Sequence, residues 1–273
     1  MCRLGFVSSD KSMNITDFVK SATMYYGVSN NDGVGIASVN GGLHVLKSHK
    51  SALAFWGSRP HFRFENTKSV IFHVRFKTSG KLDDASTHPF IGENGKAALV
   101  HNGCLGGYDE PRKCLKESGH RFASEVDSEV LLHAYEQFGD KFIQELKKLK
   151  VSGSATIVIA KDNGNIVAYT NNSSLVLFRK KGCTVGMSDD SLKDYMKVQG
   201  FVQKQTKREF LYEISGGKIL SMKKVGDLYA APAIAYTVKG DLSTWNEPYP
   251  IPAPSVCDSK NPFASEQDFG GGW

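Results

Sequence analysis

Long apolar runs are missing from this chain. Nothing in its 273 residues approaches the roughly 18 apolar residues that a membrane-spanning helix needs. The opening, Met1 to Val7, has no basic region followed by an extended apolar core, so no secretory leader is read there. Cysteines are few and unmatched. Cys2, Cys104, Cys114, Cys183 and Cys257 form no Cys-x-x-Cys pair and no Cys/His cluster at zinc spacing. That argues against a disulfide framework and against a structural zinc site, and makes the cytoplasm the expected compartment. Blocks of one charge sign are also missing. Net charge is +6, but the lysines and arginines are scattered. Their mild cluster in Lys141 to Lys150 reads as the solvated face of an amphipathic helix, so a nucleic-acid partner is not expected. Internal repeats are absent, and only four prolines precede Asn246.

What is present is an ordinary globular composition, 40% hydrophobic and 23% charged, with length for one large or two small domains. Short strands are predicted at Cys2–Ser8, Ser69–Phe76, Ala97–His101, Ala155–Ala160, Ile166–Thr170, Leu175–Arg179, Glu209–Ile214 and Lys218–Met222. Helices are predicted near Ile15–Tyr26, Asp140–Leu149, Asp190–Gln199 and, most clearly, Ser124–Phe138, with Ser124 as N-cap and Asp127 at N3. In Ser69–Phe76 the alternation sets Val70, Phe72, Val74 and Phe76 on one face and Ile71, His73 and Arg75 on the other. Strands and helices mix without regular β-α-β alternation, which favours a layered α+β fold. Five of the nine prolines crowd into Pro248–Pro262, ahead of a final Gly-Gly-Gly-Trp. The expected division is a folded domain over 1–245 and a Pro/Gly-rich tail, expected to be disordered, over 246–273.

Four features bear on chemistry, each with a plain structural reading beside it. A small residue at position 2 allows removal of Met1, which would leave Cys2 with a thiol and a free α-amine on adjacent atoms, a nucleophile and its base in one unit; taken alone, Cys2 is equally a small residue at a strand start. Asn102-Gly103 offers a side-chain amide next to a backbone N–H, a natural oxyanion-stabilising pair, or else a hairpin turn closing the strand at His101. Arg75 suits a substrate carboxylate, or a surface ion pair at a sheet edge. Asp127 suits a substrate ammonium, or the cap of its own helix. Cys104, next to the amide pair, reads as a packed structural thiol.

In sequence, Cys2 after the initiator Met, HVRFKTSG (His73 to Gly80), THPF (Thr87 to Phe90), LVHNGCL (Leu99 to Leu105) and EVDSEVLL (Glu125 to Leu132) together resemble the class II glutamine amidotransferase domain, in its short stand-alone form. The resemblance runs from Cys2 to about Leu149 and continues more loosely to GMSDDSL (Gly186 to Leu192). It implies the four-layer αββα sandwich of N-terminal-nucleophile hydrolases. It implies hydrolysis of glutamine to glutamate and ammonia through a γ-glutamyl thioester, with no metal and no organic cofactor. It assigns Cys2 as nucleophile, Asn102 and Gly103 as oxyanion hole, Arg75 to the glutamine carboxylate, Asp127 to its ammonium, and His88 and Thr78 to the same pocket.

The chain departs from the family pattern at two places. The early Arg-Gly-x-Asp-Ser-x-Gly motif stands here as Ser29 to Gly35 (SNNDGVG), and Ser79 replaces a histidine that follows the pocket threonine in many members. The second departure leaves substrate preference open. An independent N-terminal-nucleophile amidase acting on another γ-glutamyl amide is the alternative, and a non-catalytic module that kept the fold is a third reading. With the sandwich filling most of the length, ammonia is expected to go to a separate synthase or ligase.

Overall fold

The alternation in the His73 strand decides how the layers stack. Val70, Phe72 and Val74 pack into one apolar cluster with helical residues, while Ile71, one residue out of phase, packs into a second cluster with residues of another sheet. A strand buried on both faces must lie between layers. The computed structural model describes residues 2–77, 81–172 and 174–229. Thr78 and the stretch from Asn246 onward lie outside them, as does the boundary expected at 245.

In chain order the elements are β1 (Arg3–Met13), α1 (Thr16–Gly27), β2 (Val34–Val39), β3 (Leu43–Ser48), α2 (Ala52–Gly57), β4 (Thr67–Val74), β5 (Phe90–Ile91), β6 (Ala97–Gly106), α3 (Asp109–Glu117) and α4 (Asp127–Phe138). A short turn of tighter helix leads to α5 (Phe142–Lys148), followed by β7 (Ser152–Lys161), β8 (Ile166–Thr170), β9 (Val176–Lys180), β10 (Cys183–Met187), α6 (Lys193–Val198), β11 (Val202–Gln205), β12 (Phe210–Ser215) and β13 (Lys218–Lys224). They form two antiparallel sheets, β11-β9-β10-β1-β4-β2-β3 and β13-β12-β8-β7-β6-β5. Phe18, Val19, Phe55 and Met196 of α1, α2 and α6 cover the outer face of the first. Leu115, Val130, Leu131 and Phe142 of α3, α4 and α5 cover the outer face of the second. Between the sheets lie Leu4, Phe6, Ala37, Ile71, Ala98, Val100, Val158, Ala160 and Leu177. This is the expected αββα sandwich.

Three local expectations are corrected. β6 does not close at Asn102-Gly103. It runs on to Gly106, with Asn102 opposite Thr156 and Gly103 opposite Ala155 of β7, so the Asn-Gly pair is strand and not turn. Gly103 fits there for a steric reason: its φ is +149°, and a Cβ would run into the carbonyl oxygen of Ser154. Helix α4 begins at Asp127 with Val126 as its N-cap, not at Ser124. The side chain of Glu129 accepts from the N–H groups of Ala123 and Ser124, and Arg112 donates to the carbonyls of Ser124 and Val126. These bonds hold the preceding segment outside the helix. Cys104 is exposed rather than packed. The lysines of the 141–150 stretch do lie on a solvated face, with Phe142, Ile143 and Leu146 buried beneath them. Among the described residues, no helix is long and apolar enough to cross a membrane.

Candidate active site

β1 sits in the middle of its sheet, paired with β4 on one side and β10 on the other. Cys2 immediately precedes it, and Arg75 and Phe76 immediately follow β4. The antiparallel register, Arg3 opposite Val74, therefore brings residues 2 and 76 together: the Cys2 Sγ lies 3.3 Å from both the N–H and the carbonyl oxygen of Phe76. The start of β1 is fixed further by β10 and the chain after it. The Ser188 N–H donates to the Leu4 carbonyl, and the Ser188 hydroxyl accepts from the Leu4 N–H. Asp189 meets the Arg3 guanidinium at 2.6 Å and accepts from the Tyr26 hydroxyl at 3.0 Å. This anchoring by the GMSDDSL stretch had no role in the sequence reading, because nothing in its spacing marks it as a neighbour of residue 2.

Arg75 is no edge-strand arginine. It follows an interior strand, is 4% exposed, and donates from Nη1 to the carbonyl of Lys81 at 3.0 Å. Its backbone is held by the Asp32-Gly33 turn: Arg75 N–H donates to Gly33 O, and Arg75 O accepts from Asp32 N–H. The motif around Gly33 thus positions the arginine. Two residues on, Gly35 has no room for a Cβ, because the carbonyl of His88 occupies that place; the glycine lets the His88-Pro89 segment lie against β2.

From the second sheet, Asn102 reaches across and donates through Nδ2 to the Cys2 carbonyl at 2.8 Å. Asp127, at the first position of α4 and 9% exposed, accepts from the Leu105 N–H at 2.9 Å and from the Ser128 N–H at 2.8 Å. Two carboxylate oxygens offer about four acceptor sites, so these bonds orient the group and leave capacity for a ligand cation. Cys2, Arg75, His88, Gly103 and Asp127 line one cleft, together with Phe76, His101, Val126 and Ser128. Of the residues that the resemblance assigns to the site, Thr78 lies outside the described chain, next to Ser79, which also does. His101 is joined to the set by a hydrogen bond of 2.8 Å between its Nδ1 and the Ser128 hydroxyl.

Electrostatics are set mainly by burial. It pushes the Cys2 thiol above its ordinary pKa, against a lowering pull from the Phe76 backbone and the Arg75 charge. Burial, with help from His101 and Arg75, brings His73 down to about 3, and burial holds His88 well below its usual value as well. The two rings lie 4.2 Å apart, centroid to centroid. Both are neutral at physiological pH, so Arg75 is the cation of this part of the cleft. The arrangement puts one thiol, one guanidinium and one carboxylate on a single cleft, with the Asn102 amide bonded to the Cys2 carbonyl behind it.

Two facing antiparallel sheets between helical layers, with a cysteine heading a central strand, define an N-terminal-nucleophile hydrolase sandwich. Within that class the chain belongs to the glutamine amidotransferase domain family, whose pattern matches residues 33–229. It is 26% identical to the glutamine–fructose-6-phosphate aminotransferase (isomerizing) of Aquifex aeolicus over 89% of this chain and 46% of that protein. It is 40% identical to the enzyme of the same name from Thermus thermophilus over 39% of this chain and 18% of that one. The chain thus spans less than half the length of these relatives. Among solved structures, the glutamine phosphoribosylpyrophosphate amidotransferase of B. subtilis superposes with a TM-score of 0.63 at 18% identity, covering 82% of this chain and 49% of that one. A class II domain protein from Silicibacter pomeroyi superposes at 0.53 and 15% identity, covering 82% of this chain and the whole of the other. At such identities the superpositions speak for the fold.

Proposed function

We propose that this chain hydrolyses the side-chain amide of glutamine through a thioester on Cys2. The observation that supports this reading best is the convergence of Cys2, Arg75, Gly103 and Asp127, drawn from both sheets and α4, on one cleft, with Asn102 bonded to the Cys2 carbonyl. Removal of Met1 frees the Cys2 α-amine. That amine takes the thiol proton, and Sγ attacks the amide carbon of glutamine. Asn102 Nδ2 and the Gly103 N–H stabilise the oxyanion that forms. The proton held on the amine passes to the leaving nitrogen, and ammonia departs. Water, deprotonated by the same amine, then attacks the thioester carbon and releases glutamate. Arg75 binds the α-carboxylate of glutamine, Asp127 its α-ammonium, and His88 and Thr78 complete the pocket. The raised thiol pKa fits this scheme, because a neutral thiol needs an adjacent base.

The ammonia released is taken up in this reading by a separate synthase or ligase, because the described residues form the amidotransferase sandwich and the family's domains supply ammonia to a synthase. The amidotransferase unit ends near residue 245, with 246–273 as a tail. A reducing compartment, the cytoplasm, suits a reaction that depends on a free thiol.

The test is labelling with the glutamine-mimicking electrophile diazo-oxo-norleucine, followed by intact mass and peptide mapping. The expected result is loss of Met1 and one adduct on Cys2, blocked by glutamine. No adduct on a correctly processed chain, or full glutaminase activity in Cys2→Ala, overturns the reading. Faster turnover of a larger γ-glutamyl amide than of glutamine would keep the nucleophile and change the substrate.

A further inference from the structure

We propose that Glu93, His120 and His133 form a binding site for a divalent transition-metal ion of the zinc type, separate from the cleft that holds Cys2. A ring nitrogen of each histidine and a carboxylate oxygen of Glu93 lie within 4.8 Å of one another. The three come from different segments: the turn between β5 and β6, the connection between α3 and α4, and α4 itself.

The hydrogen bonds around the two imidazoles make this more than a cluster. His133 is 1% exposed, and its Nδ1 lies 3.0 Å from the Glu136 carboxylate. A carboxylate accepts, so that nitrogen carries a hydrogen; with Glu129 on the other side the ring's pKa is raised to about 9 despite burial, so an ion binding at Nε2 takes the place of a proton. Nε2 is buried and has no hydrogen-bond partner; the closest carboxylate oxygen, on Glu129, is 3.8 Å away. His120 repeats the pattern. Its Nε2 meets the Gln137 side-chain oxygen at 3.1 Å, while its Nδ1 is buried without a hydrogen-bond partner. Each ring thus places one nitrogen on an outer acceptor and the other where it has no hydrogen-bond partner. That is how metal-binding histidines are oriented by their second layer of contacts. Buried ring nitrogens without a hydrogen-bond partner are costly, and a metal ion can satisfy them.

The rest of the donor set agrees. Imidazole nitrogens and carboxylate oxygens suit zinc, at bond lengths of about 2.0–2.2 Å. Glu93 is exposed, so its carboxylate can close by side-chain rotation onto the two imidazoles. Glu136 has a second oxygen, Oε1, that is buried without a hydrogen-bond partner. The carboxylates of Glu129 and Glu136 add negative charge, which favours a cation there. An ion here ties two connections to α4, the helix whose first residue, Asp127, lines the cleft.

The experiment uses the full chain, stripped with a chelator and then titrated with Zn²⁺ by calorimetry, and with Co²⁺ for its absorption spectrum. The expected result is one ion per chain, a raised Tm, and a cobalt spectrum of nitrogen and oxygen ligation without a sulfur charge-transfer band. Glu93→Gln and His120→Ala, neither in the hydrophobic core, should each weaken binding at least about tenfold. The proposal is overturned if the chain binds no ion, if binding is unchanged in both variants, or if the sulfur band appears and vanishes in Cys2→Ala, which would place the ion on the catalytic thiol. Metal content is the readout, so the outcome is independent of whether glutamine is the substrate.

Discussion

Asn102 occupies two structural roles that can be separated by measurement. Its amide holds the Cys2 carbonyl at 2.8 Å, and it stands next to Gly103 at the rim of the cleft. If it served only to tether β1 to β6, Asn102→Ala would lose one hydrogen bond, about 0.5–1.5 kcal/mol, and kcat would follow stability. As an oxyanion donor it should lower kcat by about 10²–10³ with little change in Tm or in KM for glutamine. Steady-state kinetics alongside thermal unfolding decide between them. The thiol itself makes a second prediction. With Met1 retained, burial keeps the Cys2 pKa above its ordinary value, so at about pH 7.5 alkylation should be slower than for free cysteine and should still be rising as pH passes the usual thiol range. Removal of Met1 puts an ammonium beside the sulfur, which favours the thiolate, and alkylation should accelerate. Mass spectrometry on chains with and without Met1 gives both rates; a faster reaction in the unprocessed chain would contradict this account of the nucleophile.

At the scale of elements, α4 shows how a polar network sets where a helix starts. Arg112, 6% exposed, donates to Ser124 O and Val126 O at 2.7 Å each, and its guanidinium lies 4.5 Å from the Phe122 ring centroid. Arg112→Met keeps the bulk and removes both charge-assisted bonds. The expected loss is about 1.5–3 kcal/mol for each bond. Because Asp127 is the residue displaced, KM for glutamine should rise more than kcat falls. Equal effects on both would mean that α4 does not set the position of Asp127. The same helix marks what could be read in advance. Its existence and apolar face followed from periodicity, and β4 was legible for the same reason. Its start was not, because Ser124 has the chemistry of an N-cap, and only the approach of Arg112 and Glu129 from elsewhere decides otherwise. Asn102-Gly103 misled in the same way. As a dipeptide it is a turn signal; what keeps it in β6 is ten paired positions against β7, a contact with no local trace. The His120–His133 cluster was invisible because its ligands come from three segments at no zinc-motif spacing. Cys2, Arg75 and Asp127 were legible because their family motifs are contiguous.

At the scale of the whole molecule, the residues of the proposed reaction lie on the seam between the two sheets. Cys2 and Arg75 belong to the β1 and β4 side, while Asn102, Gly103 and Asp127 belong to the β6 and α4 side. The relative position of the two groups depends on the apolar layer between the sheets, so packing there should matter to catalysis as well as to stability. Ile36 and Ile71 allow this to be tested with matched chemistry. Both are 0% exposed and lie on neighbouring paired strands. Ile36 faces the helices of the outer layer, whereas Ile71 faces the second sheet. Truncation of either to alanine should cost about 2–5 kcal/mol, and urea titrations should show similar losses of midpoint. Under conditions where both variants remain fully folded, Ile71→Ala should lower kcat several-fold while Ile36→Ala stays near the parent value. A cavity between the sheets lets the two halves of the site shift against each other, and a misplacement of about 1 Å is enough to reduce the rate by about 10². A cavity under α1 leaves the β1–β6 distance as it was. Equal kcat in the two variants, at equal loss of stability, would mean that the hydrogen bond from Asn102 to Cys2 and the bonds around Asp127 hold the site together without the inter-sheet layer.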